Sequence, residues 1–371
     1  MAVKIKNSTL FKAMEKWAPL QLAYEWDNVG LQIGSYDQQA KKVMITLDVL
    51  ESVVDEAIEK DVNLIIAHHP LFFKSITDVN IDSPKGKVIQ KLIKHDITVY
   101  AAHTNLDIAT GGVNDLLCDA LSIHPTGNLV DLHSEKLFKI VVYVPMTHLD
   151  EISEALHLAG AGHIGNYSHC TFRTEGQGTF KPLEGSTPFI GTENEVEIVK
   201  EMKVETIVNE QSKAKVIDTM IHAHPYEEVA YDVYPLHNEG ESLGIGRVGQ
   251  IAERMDLRQF ATYVKDTLDL SHVRVIGDLE KPIEKVAVLG GSGEKYIKMA
   301  KHAQADVYLT GDLTFHAAQD AKEMGLAVID AGHYIEKIMK DATKEWLDKK
   351  LIQSELDIIV SETSTDPFQW I

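Results

Sequence analysis

Five side chains of the kinds that bind divalent metals stand just beyond strands that the sequence predicts. They are His68 and His69 after one strand, Asp107 after the next, and, near the far end of the chain, His333 and Glu336 after a third. In open α/β sheets, side chains that follow neighbouring strands converge at one edge. The sequence therefore predicts a metal centre built from both halves of the chain.

The spacing of these side chains favours two ions over one. Neighbouring side chains of an extended segment point in opposite directions, so His68 and His69 are expected to serve two adjacent ions. His333 and Glu336 are three positions apart at a predicted helix start and share one helical face. Asp107 could bridge the ions with its two oxygens. We expect two divalent metal ions per chain, Zn first and Mn, Fe or Ni as alternatives.

Each of these features also has an ordinary structural interpretation. The chain has 17 histidines, so a His-His pair or a His-x-x-Glu pair arises readily by chance. An aspartate after a strand often caps a turn. The metal interpretation depends on three such features occurring at strand ends of one alternating domain.

A glycine-rich turn and a nearby histidine offer further chemistry. Gly290–Gly293 would join a strand to a helix, an arrangement in which backbone amides can hold phosphate. A dinucleotide fingerprint would need glycine where Tyr296 stands, and no Walker lysine follows. A tight structural turn is therefore favoured, with nucleotide binding as the alternative. His316 begins a predicted helix and could donate a proton or simply pack, and the segment 310–312 could line the same cleft.

Three further polar segments have weaker claims to function. The segment 103–105 (HTN) could supply hydrogen bonds that orient Asp107. The segment 25–30 (EWDNVG) could border a pocket or cap the first helix. The segment 222–228 (HAHPYEE) carries several potential ligands, but we predict a structural turn there.

Strands and helices alternate at both ends of the chain. In the first third we predict strands over 43–47, 64–67 and 97–102, with helices over 51–60 and from Ser83-Pro84 onward. In the last third we predict strands over 286–289, 306–309 and 326–329, with helices over 294–302 and 315–324. This alternation predicts parallel strands with right-handed crossovers, in one sheet or in two packed sheets.

The middle of the chain has a different pattern. We predict strands over 137–144, 203–208 and 229–236, a strand pair around Gly176 and Gly178, a helix over 212–222, and a helix that Thr147 and Asp150 begin as a capping box. The order βαββαβ is ferredoxin-like. We therefore predict an α/β outer domain from 1–130 and 241–371, and an inserted α+β domain over 131–240. Flexible loops are expected over 182–191 and 238–246.

Composition excludes several classes of protein. The formal charge of −20 argues against nucleic acid as a partner, because phosphate backbones need basic patches. Only two cysteines, Cys118 and Cys170, occur, too few for a disulfide framework. No stretch approaches the eighteen or so apolar residues that a membrane span needs. The first residues lack the apolar run of a signal peptide, so we expect a cytoplasmic protein.

Five motifs in this order resemble the Nif-three-like family. They are EWDNVGL at 25–31, AHHPL at 67–71, TNLD at 104–107, TGD at 310–312 and GH at 332–333. The resemblance covers about 1–125 and 245–371, and the bacterial members are named GTP cyclohydrolase I type 2 homologues. The middle of the chain resembles the PII/CutA-like domain that longer members contain.

The resemblance implies a dinuclear metal site whose ligands in this chain are His68, His69, Asp107, His333 and Glu336. Many members place the glutamate four residues after the final histidine, where this chain has Lys337. The resemblance also implies a toroidal homohexamer with a small-molecule, nucleotide-like substrate.

Three functions follow as hypotheses. The first is a metal-dependent hydrolase. The second is a metal-binding regulatory or chaperone-like assembly without turnover. The third is a nucleotide-binding module that uses the glycine-rich turn.

Overall fold

The computed structural model describes residues 5–352, 356–369 and 371. Its α-helices are α1 Asn7–Trp17, α2 Glu51–Glu59, α3 Pro84–Lys94, α4 Thr104–Ile108, α5 Val113–Ala120, α6 Leu149–Ala159, α7 Glu210–Ala223, α8 Leu257–Thr267, α9 Ile297–His302, α10 Phe315–Glu323 and α11 Met339–Lys350. Short 3-10 helices cover Leu20–Leu22, Met146–His148, Glu294–Tyr296 and His333–Ile338. None of the helices in these described ranges is long and apolar enough to cross a bilayer.

Strands occupy the segments predicted to contain them, two of them much longer than expected, and three further strands (30–33, 274–276 and 357–360) were not predicted. The strands are β1 Gly30–Ile33, β2 Lys42–Thr46, β3 Leu64–Ala67, β4 Thr98–Ala101, β5 Ile123–Pro145, β6 Thr171–Phe180, β7 Glu197–Asn209, β8 Tyr231–Asp256, β9 Arg274–Ile276, β10 Pro282–Ser292, β11 Val307–Gly311, β12 Ala327–Asp330 and β13 Asp357–Val360. The strand pair expected around Gly176 and Gly178 is one continuous strand, Thr171–Phe180. The chain divides into two compact units: unit 1 is Met1–His133 with Leu243–Ile371, and unit 2 is Ser134–Ser242.

The first sheet of unit 1 has the strand order β1-β4-β3-β2-β13. Strands β2, β3 and β4 are parallel, as the crossover helices require. Every residue of β3 is buried, because both faces of the sheet carry apolar cores: Ile66 faces one and Ile65 the other. Strand β13 returns from the far end of the chain to pair parallel with β2. The two ends of the sequence are therefore joined in one sheet.

A second set of parallel strands lies in the C-terminal part of unit 1. Strands β10, β11 and β12 pair in parallel, with β8 antiparallel to β10 and β9 antiparallel to β12. The two sets of parallel strands therefore lie in two different sheets, which settles the choice between one sheet and two that the sequence left open. The fold is mixed α/β, and its mixed sheets fit that class.

Unit 2 has the element order β5, α6, β6, β7, α7, β8 and the strand order β6-β7-β5-β8. This is the βαββαβ order of ferredoxin-like domains. Residues of α6 and α7, including Leu156 and Met220, pack with Val142 and Val204 from the strands into one buried cluster. The opposite face of β7 carries Glu201, and loop and turn residues of the same unit lie near it.

Two further local predictions in the middle of the chain are wrong. Thr147 and Asp150 do not form a capping box, because His148 is the N-cap of α6 and makes no side-chain cap bond. The segment 238–246 is not a loop but part of β8. A Cβ atom at Gly240 would meet the backbone of Glu135, so the glycine that suggested a loop instead admits a close strand.

Candidate metal centre

Parallel pairing brings the two N-terminal ligand segments together. Ala67 at the end of β3 lies beside Ala101 at the end of β4. The histidine pair at 68–69 and the segment 103–107 therefore leave the same sheet edge side by side. From the second sheet, β12 ends at Asp330 and leads into the 3-10 helix His333–Ile338. Gly332, with a φ of 78°, makes the turn between them in a conformation that favours glycine.

The Glu336 carboxylate lies among three imidazoles. Its Oε2 atom is 3.1 Å from His69 Nε2 and 3.1 Å from His333 Nε2. The same oxygen is 3.7 Å from His68 Nε2. The carboxylate is buried, whereas Lys337 directs its ammonium to the carbonyl oxygen of Asp269. The structure therefore places Glu336, and not the residue at 337, among the histidines.

Two polar atoms at the back of this cluster have no hydrogen-bond partner. They are His68 Nε2 and Asp107 Oδ1, both fully buried and 3.5 Å apart. An unpartnered buried polar atom costs free energy of about 1–3 kcal/mol, so natural structures seldom keep one. Two such atoms pointing at one another across a gap are what a metal ion would join. The donor set fits a divalent ion.

Each histidine uses its other ring nitrogen to fix its orientation. His68 Nδ1 lies 2.8 Å from the carbonyl oxygen of Ala102. His69 Nδ1 lies 2.7 Å from Asp48 Oδ1. His333 Nδ1 lies 2.6 Å from Asp312 Oδ2. Because Nδ1 donates to these oxygens, Nε2 is the atom of each ring that can give a lone pair to a metal once it has lost its proton.

The side chains form groups of three that could each hold a metal ion. One group is His68, Asp107 and Glu336, and all three are buried. A second is His69, His333 and Glu336. Glu336 belongs to both groups and Asp107 to one. The geometry thus differs from the expectation that Asp107 bridges, because the 3-10 helix carries the Glu336 carboxylate to the middle of the cluster.

The two groups differ in their access to solvent. The His68 side chain is 0% exposed, so its group is closed. The His333 side chain is 37% exposed, so the second group opens to solvent on one side. Structural metal sites are closed, and catalytic sites keep an open position. The second group is therefore the one that molecules in solution can reach.

Charge within the cluster shifts the pKa values of its members. Burial opposes protonation of His69, but hydrogen bonds to Asp48 and Glu336 outweigh burial and raise its pKa to about 10. Burial and the hydrogen bond to Glu336 act against one another in the same way at His333, whose pKa rises to about 9. Burial opposes ionisation of Glu336, yet the histidines hold the pKa of its carboxyl well below the usual range. The carboxylate is thus ionised, as a metal ligand must be.

The glycine-rich turn at 290–293 has a structural role in this cluster. A Cβ atom at Gly291 would overlap Glu336 Oε1 and lie 3.2 Å from His333 Nε2. A Cβ atom at Gly290 would come within 3.2 Å of Glu336 Cγ. The glycines therefore leave room for the carboxylate, and Gly290 and Gly291 lie at the end of β10, not in the tight turn that the sequence favoured. No separate phosphate cradle is needed to explain them.

His103 and two exposed aromatic rings surround the open side. His103 Nδ1 lies 2.9 Å from Asp27 Oδ1, and the other Asp27 oxygen accepts from the backbone and hydroxyl of Thr104. The Trp26 side chain is 62% exposed and that of Phe73 is 53% exposed. Their rings lie 6.2 Å and 5.6 Å from that of His103. His103 also forms a third possible metal group with His68 and His69.

Two sequence candidates lie outside the cluster. His316 is exposed on α10, where its Nδ1 lies 3.2 Å from Gln319 Oε1, and it belongs to none of the described metal groups. In the segment 222–228, His224 Nε2 bonds the carbonyl oxygen of Tyr143 and His224 Nδ1 accepts from the backbone of Tyr226. These bonds suit a structural turn.

Asp48 is a functional candidate that the sequence reasoning missed. It follows β2 directly, at the same sheet edge as the ligands that follow β3 and β4. The strand-end argument that selected Asp107 would have selected Asp48 as well. Its second oxygen accepts from Thr365 Oγ1 at 2.5 Å, so the C-terminal segment helps to hold the carboxylate that orients His69.

Comparison with known proteins gives matches over the whole chain. A family model described as Duf34/NIF3 (NGG1p interacting factor 3) matches residues 5–367. Proteins named GTP cyclohydrolase 1 type 2 homolog from Bacillus subtilis and Halalkalibacterium halodurans are 50% and 51% identical, with 100% of each chain covered. The solved structure of a Bacillus cereus protein related to NIF3 is 48% identical, with 100% coverage of both chains and a TM-score of 0.93.

Proposed function

The chain belongs to the Duf34/NIF3 family, and from that premise we propose that it is a dinuclear metal-dependent hydrolase with a small, nucleotide-like substrate. The observation that carries the proposal is the pair of unpartnered buried atoms, His68 Nε2 and Asp107 Oδ1, beside a second ligand group open to solvent. The ligands would be His68, His69, Asp107, His333 and Glu336. Zn is the ion we propose first.

We propose that the two groups have different roles, one structural and one in substrate binding. The buried group of His68, Asp107 and Glu336 would hold one ion away from solvent, and so fix the Glu336 carboxylate. His69 and His333 would hold the other ion with the same carboxylate and leave its solvent side for substrate. Divalent ions supply Lewis acidity and lower the pKa of bound water towards neutrality.

The surrounding side chains support a flat substrate. The exposed rings of Trp26 and Phe73 offer apolar faces at the mouth of the site, and aromatic rings stack readily on one another. His103 is held by Asp27 through Nδ1, so its Nε2 atom can accept or return a proton near the open group. An anionic part of the substrate would be held by the metals, since the side chains around them are imidazoles and carboxylates.

A second candidate function is a metal-binding regulatory assembly without turnover. The burial of the whole His68, Asp107 and Glu336 group favours it, since closed coordination is typical of structural sites. In this proposal unit 2 is a PII/CutA-like insert that serves sensing or assembly, and the chain forms a toroidal homohexamer. The βαββαβ order of unit 2 supports the first part, and the family motifs support the second.

Hydrolysis by the metal-loaded protein decides between these functions. Full-length protein is incubated with Zn²⁺ and assayed with GTP and other nucleotides. The hydrolase proposal predicts turnover that His69→Ala abolishes and that His95→Ala, at an exposed position on the end of α3, leaves unchanged. A chain that holds two ions per molecule but hydrolyses none of the nucleotides would support the regulatory assembly. Turnover that survives His69→Ala would contradict the proposed site.

A further inference from the structure

Unit 2 contains a cavity of about 590 Å³ that is separate from the metal cluster in its residues. Its walls come from β6, β7, the loop that follows β6 and the turn at 226–230. Cavities of this size hold metabolite-sized ligands. All of its lining residues lie inside unit 2, so the cavity is complete within that unit.

Three aromatic rings form one side of the cavity. The Tyr226 ring lies 6.2 Å from that of Phe180 and 6.2 Å from that of Phe189. The interplanar angles are 53° and 46°, so the rings are tilted towards one another instead of stacked. Rings at such angles present more than one face to a bound group. Aromatic faces carry negative potential and attract cations.

A buried carboxylate also lines the cavity. The Glu201 side chain belongs to a residue only 7% exposed, and its Oε1 atom accepts a hydrogen bond from the Tyr226 hydroxyl at 3.0 Å. A Cβ atom at Gly178 would overlap Glu201 Oε2. The glycine in β6 therefore makes space for a carboxylate that projects from β7 into the cavity.

This carboxylate has no cation of its own in the described part of the chain. The ion pairs there include none in which Glu201 takes part, and its one hydrogen-bonding side chain is the neutral Tyr226. Lys203 also lines the cavity, but its ammonium lies 2.8 Å from Glu205 Oε1. A buried charge without a counter-charge is costly, and a ligand can supply the missing one.

The remaining charged groups of the lining have the same sign as Glu201. They are Glu175, Glu227 and Glu228. The Glu227 carboxylate accepts from the backbone of Thr187 at 2.8 Å, which ties the covering loop to the turn. The lining thus combines four carboxylates with one lysine that is already paired. An anionic ligand would be repelled from such a site.

We propose that this cavity binds an organic cation, with its ammonium group between the Glu201 carboxylate and the rings of Phe180, Phe189 and Tyr226. The class is a quaternary ammonium or a protonated amine with a small apolar body. The proposal does not depend on the metal centre or on hydrolysis. It assigns unit 2 a binding function of its own.

The test uses two probes of equal shape and different charge. Choline carries a quaternary ammonium, and 3,3-dimethylbutan-1-ol is its neutral carbon analogue. Each is titrated into the full-length protein by calorimetry, with metal absent and with Zn²⁺ present. The proposal predicts that choline binds at least about tenfold more tightly than the alcohol, which is about 1.4 kcal/mol of discrimination. Equal binding of both probes, or no heat with choline up to about 10 mM, would overturn it.

Variants locate the binding. Glu201→Gln is expected to weaken choline binding by about tenfold and to leave the alcohol unaffected. Glu184→Gln removes an equal charge from an exposed position on the covering loop that does not line the cavity, and is expected to change nothing. Phe189→Leu changes a half-exposed ring and should lower the affinity for choline by several-fold. This variant provides the test if Glu201→Gln unfolds the protein. Unchanged choline binding in both lining variants would contradict the assignment.

Discussion

Two buried glutamates, one in each compact unit, have opposite surroundings. Glu336 in unit 1 lies 3.1 Å from the Nε2 atoms of both His69 and His333. Glu201 in unit 2 has the Tyr226 hydroxyl as its side-chain partner and lies beside aromatic rings. A buried negative charge needs a positive charge nearby. The groups around each carboxylate therefore indicate which kind of cation neutralises it.

The difference lies in the kind of cation that each site can bind. Several directional nitrogen and oxygen donors around Glu336 suit a small divalent ion that accepts many ligands. Ring faces around Glu201 offer no lone pairs of that kind, but they attract a diffuse organic charge. The same residue type, equally buried, therefore implies different chemistry in the two units.

Glu336→Gln is expected to produce the largest change. Loss of the shared carboxylate removes a ligand from both groups, so metal affinity should fall by more than about 100-fold, beyond the range seen when a supporting residue is lost. Metal content after dialysis, measured by mass spectrometry, checks this. Glu201→Gln is the matched control, and it should retain as much metal as the unmodified chain. Equal metal content in both variants would contradict the contrast between the two glutamates.

Asp312→Asn tests how the histidines are oriented. Asp312 adopts a φ of 57°, which asparagine tolerates, so the variant should keep its backbone. The weaker acceptor no longer fixes His333 Nδ1, and affinity for one of the two ions should fall by about 10–100-fold. A competition titration with a chelator would show one weakened and one unchanged site. Equal weakening of both would mean that the groups do not act separately.

Tyr226→Phe tests how much the hydrogen bond between Tyr226 and Glu201 contributes to stability. The variant keeps the ring but leaves Glu201 without its hydroxyl donor, and a hydrogen bond to a charged group contributes about 1.5–3 kcal/mol. We expect the free energy of unfolding in urea to fall by that amount. Tyr234→Phe, at an exposed ring in β8, should change it by less than about 0.5 kcal/mol. Similar values for both would show that the Glu201 bond adds no stability.

Glu56 provides a third carboxylate whose partners are hydroxyl, amide and ammonium groups. Burial opposes ionisation, but bonds from Ser361, Thr363, the backbone of Glu362 and Lys60 lower its pKa to about 2. A lowered folded-state pKa stabilises the fold above the unfolded value of 4.5, and this stabilisation is lost as pH falls towards 2.

Glu56→Gln is therefore expected to be less stable than the unmodified chain at pH 7, by an amount that shrinks between pH 4.5 and 2. Parallel urea titrations at pH 7 and pH 3 measure the difference. Glu59→Gln, at an exposed position on the same helix, is the control. A stability difference that stays constant with pH would refute the linkage.

The grouping of the ligand-type side chains could be predicted because the ends of the strands can be recognised in the sequence. Buried apolar runs locate β3 and β4, and polar residues directly after them must lie at one sheet edge. The same argument applied to the strand predicted over 326–329 selected His333 and Glu336, and the family motifs point to the same residues. The same logic applied to β2 would have found Asp48.

Other features depend on contacts that no local pattern encodes. The central place of Glu336, instead of Asp107, follows from the turn at Gly332 and the space left by Gly291. The glycines of 238–246 suggested a loop because their need for a close neighbouring strand is invisible in sequence. The cavity of unit 2 depends on how a loop and a turn fold over β7, and neither has a regular pattern.

Anomalous diffraction at the zinc edge, from crystals of the full chain grown with Zn²⁺, tests the central claim most directly. The account predicts two peaks that share Glu336, one at His68 Nε2 and Asp107 Oδ1, the other at His69 Nε2 and His333 Nε2. A single peak, or peaks that leave His68 Nε2 and Asp107 Oδ1 without a ligand, would contradict it.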